Sequence, residues 1–325
     1  MKWGILGTSF ISGVMAEAIK GDDKSELYAV AGRSEDNLSA FARQYSVEKT
    51  FSDYETLISD ELVDIIYIAL PNHLHHDFII KAAQQGKAIL CEKSLSIDME
   101  KTELALQAVK EHQVFFAEGL MYLHHPLIRE LVAILESGEI GELRSIHTSY
   151  IASIAQFVNP ASKGALYNLG CYPVSLMYLV VKTMLGEQAF DNRAIKAMSR
   201  RGEDNNICES SLLMSFGENN TAFIHTAEDH GLKHHFTVLG TQGSITMESN
   251  PWLPALENHI SVEIYDTSKR DIAVSAQGDA FFYQIRQVRE AVEAGQKELV
   301  SPCATWQDSY KIMQLLTEWE SLGAS

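Results

Sequence analysis

The chain begins "MKWGILGTSFISGVMAEAI" (residues 1–19), and the reading of this stretch decides the fold. Residues 2–7, KWGILG, are a short apolar run stopped by glycine, which predicts a buried β-strand. Behind it, Ile11, Val14, Met15, Ala18 and Ile19 recur at helical spacing. A strand that turns through glycine into a helix can present the helix N-terminus to a pyrophosphate. The unpaired N–H groups and the aligned peptide dipoles both favour an anion there. Gly7 suits the tight turn. A dinucleotide-binding loop carries two further glycines, and this chain has Ser9 and Ser12 in their places. Taken alone, the turn from Gly7 through Thr8, Ser9, Phe10 and Ile11 reads equally as a cofactor loop or as an ordinary strand–helix junction.

Working outward, strand-like runs at 26–33, 64–71, 88–93 and 114–119 alternate with helical patterns at 36–45, 75–85 and 98–112. This alternation predicts an α/β fold with a doubly wound parallel sheet. Ligands in such folds sit beyond the carboxyl ends of the strands. The chemistry-bearing residues lie at those ends: Gly7–Ser12, Arg33, Pro71–His75, Glu92–Lys93 and Glu118. The second strand ends in Gly32-Arg33-Ser34, where an NAD site would place a carboxylate for the ribose hydroxyls. A cation and a hydroxyl suit a 2′-phosphate, so NADP is expected over NAD.

From about residue 120 the texture changes. Helical patterns at 125–137 and 172–185 are interspersed with strand-like runs between 142 and 276, with helices at 279–294 and 304–322 closing the chain. This predicts an α+β domain with an open, mostly antiparallel sheet. The expected domains are therefore 1–119, binding the nucleotide, and 120–325, binding the substrate.

Bulk composition narrows the partners. The 325 residues carry 43 carboxylates against 26 Lys plus Arg, a net charge of −17. Such a surface repels phosphate backbones and anionic membranes, so neither nucleic acid nor membrane is an expected partner. No apolar run approaches the roughly 20 residues of a membrane span, and no leader pattern is expected at the N-terminus. Cys91, Cys171, Cys208 and Cys303 show no CxxC pairing, which predicts reduced thiols and a cytoplasmic location. His73, His75 and His76 lack the geometry of a metal triad, and no metal is expected.

Three stretches together resemble one family: "ALPNHLHHDFIIKAAQQGKAILCEKSLS" (69–96), "EGLMYLHHPLIRELVAILESGEIGELRSI" (118–146) and "GALYNLGCYPVSLMYLV" (164–180). They resemble the glucose–fructose oxidoreductase / inositol dehydrogenase (Gfo/Idh/MocA) family, nearest its dihydrodiol and sugar dehydrogenase branch. The resemblance implies hydride transfer between NAD(P) and a sugar, polyol or diol carbon. It also implies a last helix packing back on the first domain, and a homodimer or dimer of dimers formed through the C-terminal sheet.

By that resemblance Lys93 of Glu92-Lys93-Ser94 falls on the family's catalytic lysine. An ammonium there stabilises negative charge developing on the reacting oxygen. Ser94 replaces the family's proline, which removes a fixed φ and the cis option proline brings. Leu70, Pro71, Asn72 and His75 match a cofactor loop, with Glu92 near the nicotinamide ribose or orienting Lys93. Asn168 and Tyr172 stand where many members have Asp and then His or Tyr. Tyr172 is expected as the acid/base, a phenol with an ordinary pKa near ~10; a core or capping aromatic is the alternative. Asn168 can hydrogen-bond a substrate hydroxyl but cannot accept a proton. Tyr122 and His124 are expected to line the substrate pocket. The leading expectation is an NADP-dependent oxidoreductase. The rival, supported by the Ser9, Ser94 and Asn168 departures, is a non-catalytic NADP-binding redox sensor or regulatory protein.

Overall fold

The structure is a computed structural model and describes residues 1–217 and 219–323. The chain divides into two compact units: Met1–Met121 with Phe281–Tyr310, and Tyr122–Ala280 with Lys311–Ser325.

The first unit runs β1 (Lys2–Leu6), α1 (Phe10–Lys20), β2 (Glu26–Ala31), α2 (Glu35–Tyr45), β3 (Lys49–Phe51), α3 (Tyr54–Ile58), β4 (Ile65–Ile68), α4 (His75–Gln84), β5 (Ala88–Glu92), α5 (Met99–His112) and β6 (Phe116–Gly119). Its six strands lie in the order β3-β2-β1-β4-β5-β6, all parallel. The order reverses between β1 and β4, which makes the crevice at their carboxyl ends the switch point. Every residue of β4 and β5 is buried, because helices cover both faces of a parallel sheet. The short β3 and α3 were not expected; three and five residues are too few to display a period. The segment 281–310 joins this unit through core residues such as Ile285, Val288 and Leu299. A nearly buried ion pair adds to the join, with Arg289 Nε donating to Asp22 at 2.7 Å.

The second unit holds α6 (Pro126–Ser137), β7 (Leu143–Ala152), α7 (Cys171–Leu185), α8 (Glu187–Asp191), β8 (Arg193–Arg201), β9 (Ile207–Phe216), β10 (Asn220–Ala227), β11 (Leu232–Gly240), β12 (Gly243–Met247), β13 (Glu257–Ile264) and β14 (Ser268–Ser275). The eight strands lie in the order β14-β13-β12-β11-β7-β10-β9-β8. Every pairing is antiparallel except β7 with β10. α7 packs on β7 and β10, and α6 packs on α7. Of the 15 residues of α7, Cys171 through Val181 are all buried. The other face of the sheet is open: Met198, Leu213 and Phe223 share it at adjacent registers and are all exposed. Two helices close the chain, α9 (Ala280–Glu293) and α10 (Trp306–Leu322). No helix among the described residues is long and apolar enough to cross a membrane.

Candidate active site

The first unit gathers its candidate residues at the carboxyl ends of the parallel strands. Gly7 has φ +105°, and a Cβ there would meet the Ala69 carbonyl oxygen at 2.8 Å. Only glycine fits that turn. Its N–H donates to Ala31 O at 2.8 Å, tying the loop to β2. Ser9 is the N-cap of α1. Its N–H donates to Ser12 Oγ at 3.2 Å, and the two hydroxyls lie 3.1 Å apart. The two serines that replace glycines thus brace each other. Thr8 and Ile11 are half-buried, while Ser9 and Phe10 are exposed.

Gly32 closes β2, and Arg33 follows it exposed, with no ion-pair partner among the described residues. Ser34 caps α2, accepting the Asn37 N–H at 3.4 Å. No carboxylate occupies the β2 end; Asp36 lies in the first turn of α2. An unpaired guanidinium beside a glycine-built turn fits a phosphorylated nucleotide.

The loop after β4 holds Leu70, Pro71 and Asn72, then His75 at the start of α4. His75 is fully buried, with Nδ1 2.8 Å from Ser94 O and Nε2 2.7 Å from Leu70 O. Both ring nitrogens face backbone carbonyls, and the neutral imidazole, with one N–H, donates to one of them. Burial pulls its imidazole down to about 4. Asn72 is buried as well.

Lys93 follows β5 half-buried, and the Lys93–Ser94 peptide is cis although residue 94 is not proline. The loop therefore has the conformation the serine was expected to deny it. Glu92 is buried; its Oε1 accepts the Tyr67 hydroxyl at 2.6 Å and its Oε2 accepts the Lys93 N–H at 3.3 Å. Burial raises the Glu92 carboxyl, opposed by Tyr67 and Lys93. Glu118, singled out from the sequence at a strand end but given no role there, lies in β6. Its Oε1 accepts the Leu95 N–H at 2.9 Å. Burial pushes its carboxyl up to about 7 against hydrogen bonds from Ser309 and Leu95.

The second unit carries the other candidates. Leu166–Gly170 is one π-helical turn that leads directly into α7. Such wide turns cluster at functional positions. Asn168 in this turn is 9% exposed and donates Nδ2 to Glu228 Oε2 at 2.7 Å. Tyr172, second residue of α7, is 8% exposed. Its ring lies 6.0 Å from Tyr122 and 5.4 Å, edge-on, from Tyr150, which in turn packs on Trp252 at 4.8 Å. Burial pushes the Tyr150 phenol up to about 12.

Tyr122 was expected to line the substrate pocket. It is fully buried, and its hydroxyl lies 2.7 Å from Ser175 Oγ, which donates to Tyr172 O at 3.0 Å. Ser175 has one proton, so Tyr122 donates to it and buttresses the start of α7. His124 is buried; His125 caps α6, its Nδ1 accepting the Leu127 N–H at 3.1 Å. Among the described residues no group of three His, Cys, Asp or Glu side chains is arranged to hold a metal. Glu228 and Tyr150 were missed from sequence, Tyr150 because it reads only as one more aromatic in a strand.

Comparison with known proteins adds to this geometry. Residues 1–120 match an oxidoreductase family model with an NAD-binding Rossmann fold, and residues 128–246 match the GFO/IDH/MocA C-terminal domain. An uncharacterised oxidoreductase of Rhizobium meliloti is 29% identical, covering 91% of this chain and 90% of that protein. The trans-1,2-dihydrobenzene-1,2-diol dehydrogenase of Xenopus tropicalis is 25% identical, covering 98% and 96%. The open conformation of KijD10, a 3-ketoreductase from Actinomadura kijaniata in complex with TDP-benzene and NADP, aligns with a TM-score of 0.83. It is 26% identical, covering 97% of this chain and 95% of that one.

Proposed function

The chain belongs to the Gfo/Idh/MocA oxidoreductase family, and from that premise we propose an NADP-preferring enzyme that transfers hydride to or from a sugar, polyol or diol carbon. Its relatives are named dehydrogenases and reductases of sugars and diols. Bound NADP(H) supplies or takes the hydride.

The rest of the chemistry falls to the chain. Gly7 and the N-terminus of α1 hold the pyrophosphate, with Thr8, Ser9, Phe10 and Ile11 around it. Arg33 and Ser34 take the 2′-phosphate, since an unpaired guanidinium binds phosphate by charge-assisted hydrogen bonds. Leu70, Pro71 and Asn72 border the nucleotide. Lys93 donates a hydrogen bond to the reacting oxygen and stabilises its developing charge. Glu92, fixed by Tyr67, orients the lysine's backbone. Tyr172 exchanges the proton with the substrate hydroxyl, and Asn168 binds a neighbouring hydroxyl.

The observation that carries this reading is Lys93 itself. It stands half-buried at the end of a central parallel strand, on a loop held by His75 from one side and Glu118 from the other. A solvated surface lysine needs no such scaffold. The exposed Met198, Leu213 and Phe223 on the open sheet face support assembly as a homodimer through that sheet. Four buried free cysteines support a cytoplasmic setting.

Titration with NADPH and NADH by fluorescence, followed by an activity panel of aldoses, polyols and trans-diols, tests the proposal. Tighter NADPH binding and turnover of at least one compound are expected. Tight NADPH binding with no turnover across the panel favours the sensor reading, and no nucleotide binding refutes both.

A further inference from the structure

His73 stands in the loop after β4, half-buried, with a ring that no group of the protein engages. Its Nδ1 is enclosed without a hydrogen-bond partner, and Nε2, which is not enclosed, has none either among the described residues. The guanidinium of Arg33, after β2, is equally unpaired among them.

Both residues belong to the first unit, and the glycine turn brings their strand ends together. β2 and β4 flank β1 and run parallel to it. On one side the Gly7 N–H donates to Ala31 O at 2.8 Å; on the other the Ala69 N–H donates to Leu6 O at 3.0 Å. Arg33 and His73 therefore leave the sheet on opposite sides of the turn assigned to the pyrophosphate.

The charges that reach the His73 ring come from three elements. Burial, first, holds its imidazole below the usual range, and Arg33 adds to this, followed by His76 of α4 and Lys101 of α5. Two of these three cationic groups have acidic neighbours: His76 Nε2 lies 3.3 Å from Asp77, and Lys101 Nζ lies 2.7 Å from Asp98. Arg33 has none. In the free protein the ring is neutral at pH 7, because no acceptor holds a second proton and the surrounding positive charge repels it.

We propose that His73 is a second ligand for the 2′-phosphate, opposite Arg33, and that its ring takes a proton from solvent when NADPH binds but not when NADH binds. The inference rests on the NADP reading of Arg33 and adds a regulation to it. Beside a phosphate dianion, Nε2 gains the acceptor it lacks and the positive charge of Arg33 is offset. The imidazolium then donates one charge-assisted hydrogen bond and Arg33 donates others. With NADH a ribose hydroxyl stands in that place, which brings no charge and leaves the ring neutral. By linkage, the proton that NADPH draws in must itself tighten NADPH. Falling pH thereby sharpens the preference for NADPH over NADH.

Isothermal titration of the full chain with NADPH and with NADH, from about pH 8 to about pH 6.5 in phosphate-free buffers, tests this. Two buffers of different ionisation enthalpy at neutral pH count the protons exchanged. NADPH affinity is expected to rise about ten-fold as pH falls across the range, with on the order of half a proton taken up per NADPH at neutrality. NADH affinity should move by no more than about two-fold, with no proton taken up. The phosphate's own titration, near pH ~6, cannot imitate this slope, because losing the dianion weakens binding. His73→Gln keeps a neutral donor and cannot take the proton, so it should flatten the NADPH profile to within about two-fold. His76→Gln should keep the slope.

The inference is overturned if wild type takes up no proton with NADPH, if NADH shows the same slope, if the slope survives in His73→Gln, or if His76→Gln abolishes it. The wild-type proton count needs no variant, so it decides even where a substitution disturbs the loop. Each of these outcomes leaves the NADP reading standing as long as wild type binds NADPH more tightly than NADH. Equal affinity for the two, or binding of neither, refutes that reading, and this inference falls with it.

Discussion

The ring of His75 spans two loops: Nδ1 lies 2.8 Å from Ser94 O and Nε2 lies 2.7 Å from Leu70 O. One buried side chain thus joins the segment bordering the nucleotide to the segment carrying Lys93. His75→Ala removes both contacts and leaves a cavity. It should lower unfolding free energy by about 2 kcal/mol. Turnover should fall as well, because Lys93 loses its fixed position. Urea denaturation and steady-state kinetics check this. A variant with wild-type kcat would mean that the loop holds itself.

The carboxyl of Glu118 yields a pH dependence with a definite sign. Burial raises it from the ordinary 4.5 to about 7. Between those values the folded chain binds the proton and the unfolded chain does not. The stabilisation is complete below pH 4.5 and is lost as pH rises through 7. Glu118→Gln keeps an acceptor for the Leu95 N–H and cannot ionise. It should therefore be more stable than wild type at pH 8 by on the order of 2 kcal/mol, with the gap closing toward pH 4.5. Urea midpoints for both proteins across this range give the answer, and parallel curves would refute the burial argument.

At the glycine turn, two neighbouring changes should differ sharply. Gly7→Ala forces a Cβ to within 2.8 Å of Ala69 O at φ +105°. Displacing that backbone should cost NADPH affinity about ten-fold or more. Ser9→Gly removes a hydroxyl whose neighbour is Ser12 Oγ at 3.1 Å. NADPH affinity should then change by no more than about three-fold. Isothermal titration of both variants compares them. A large loss in Ser9→Gly would mean that its hydroxyl donates to the pyrophosphate.

Arg33 governs the choice of nucleotide. Arg33→Ala should weaken NADPH binding about ten-fold and leave NADH nearly unchanged, since only NADPH carries the 2′-phosphate. Equal losses for both nucleotides would remove Arg33 from that role.

Much of this was legible in the chain. Strand–helix alternation in residues 1–119 reveals the parallel sheet because buried parallel strands such as DIIYIALP and AILCEK are continuous apolar blocks. The short β3 escaped because KTF shows no period. The candidate lysine was legible from Glu92-Lys93 at a strand end, but its scaffold was not. His75 and Glu118 act through backbone groups of residues 94 and 95, and no motif records which backbone group a side chain will meet. The Tyr122–Ser175 contact escaped for a related reason: it joins residues 53 apart in the chain. The Asn168–Glu228 contact joins residues 60 apart in the chain, a distance no local pattern spans.

The central claim is that Lys93 acts on the reacting oxygen. Lys93→Met keeps the length of the side chain and removes its charge and its donors. The direct measurement is the single-turnover rate of hydride transfer in this variant, alongside its NADPH dissociation constant. Hydride transfer should fall by about a thousand-fold or more while NADPH affinity stays within about three-fold of wild type. Hydride transfer within about ten-fold of wild type would contradict the role assigned to Lys93.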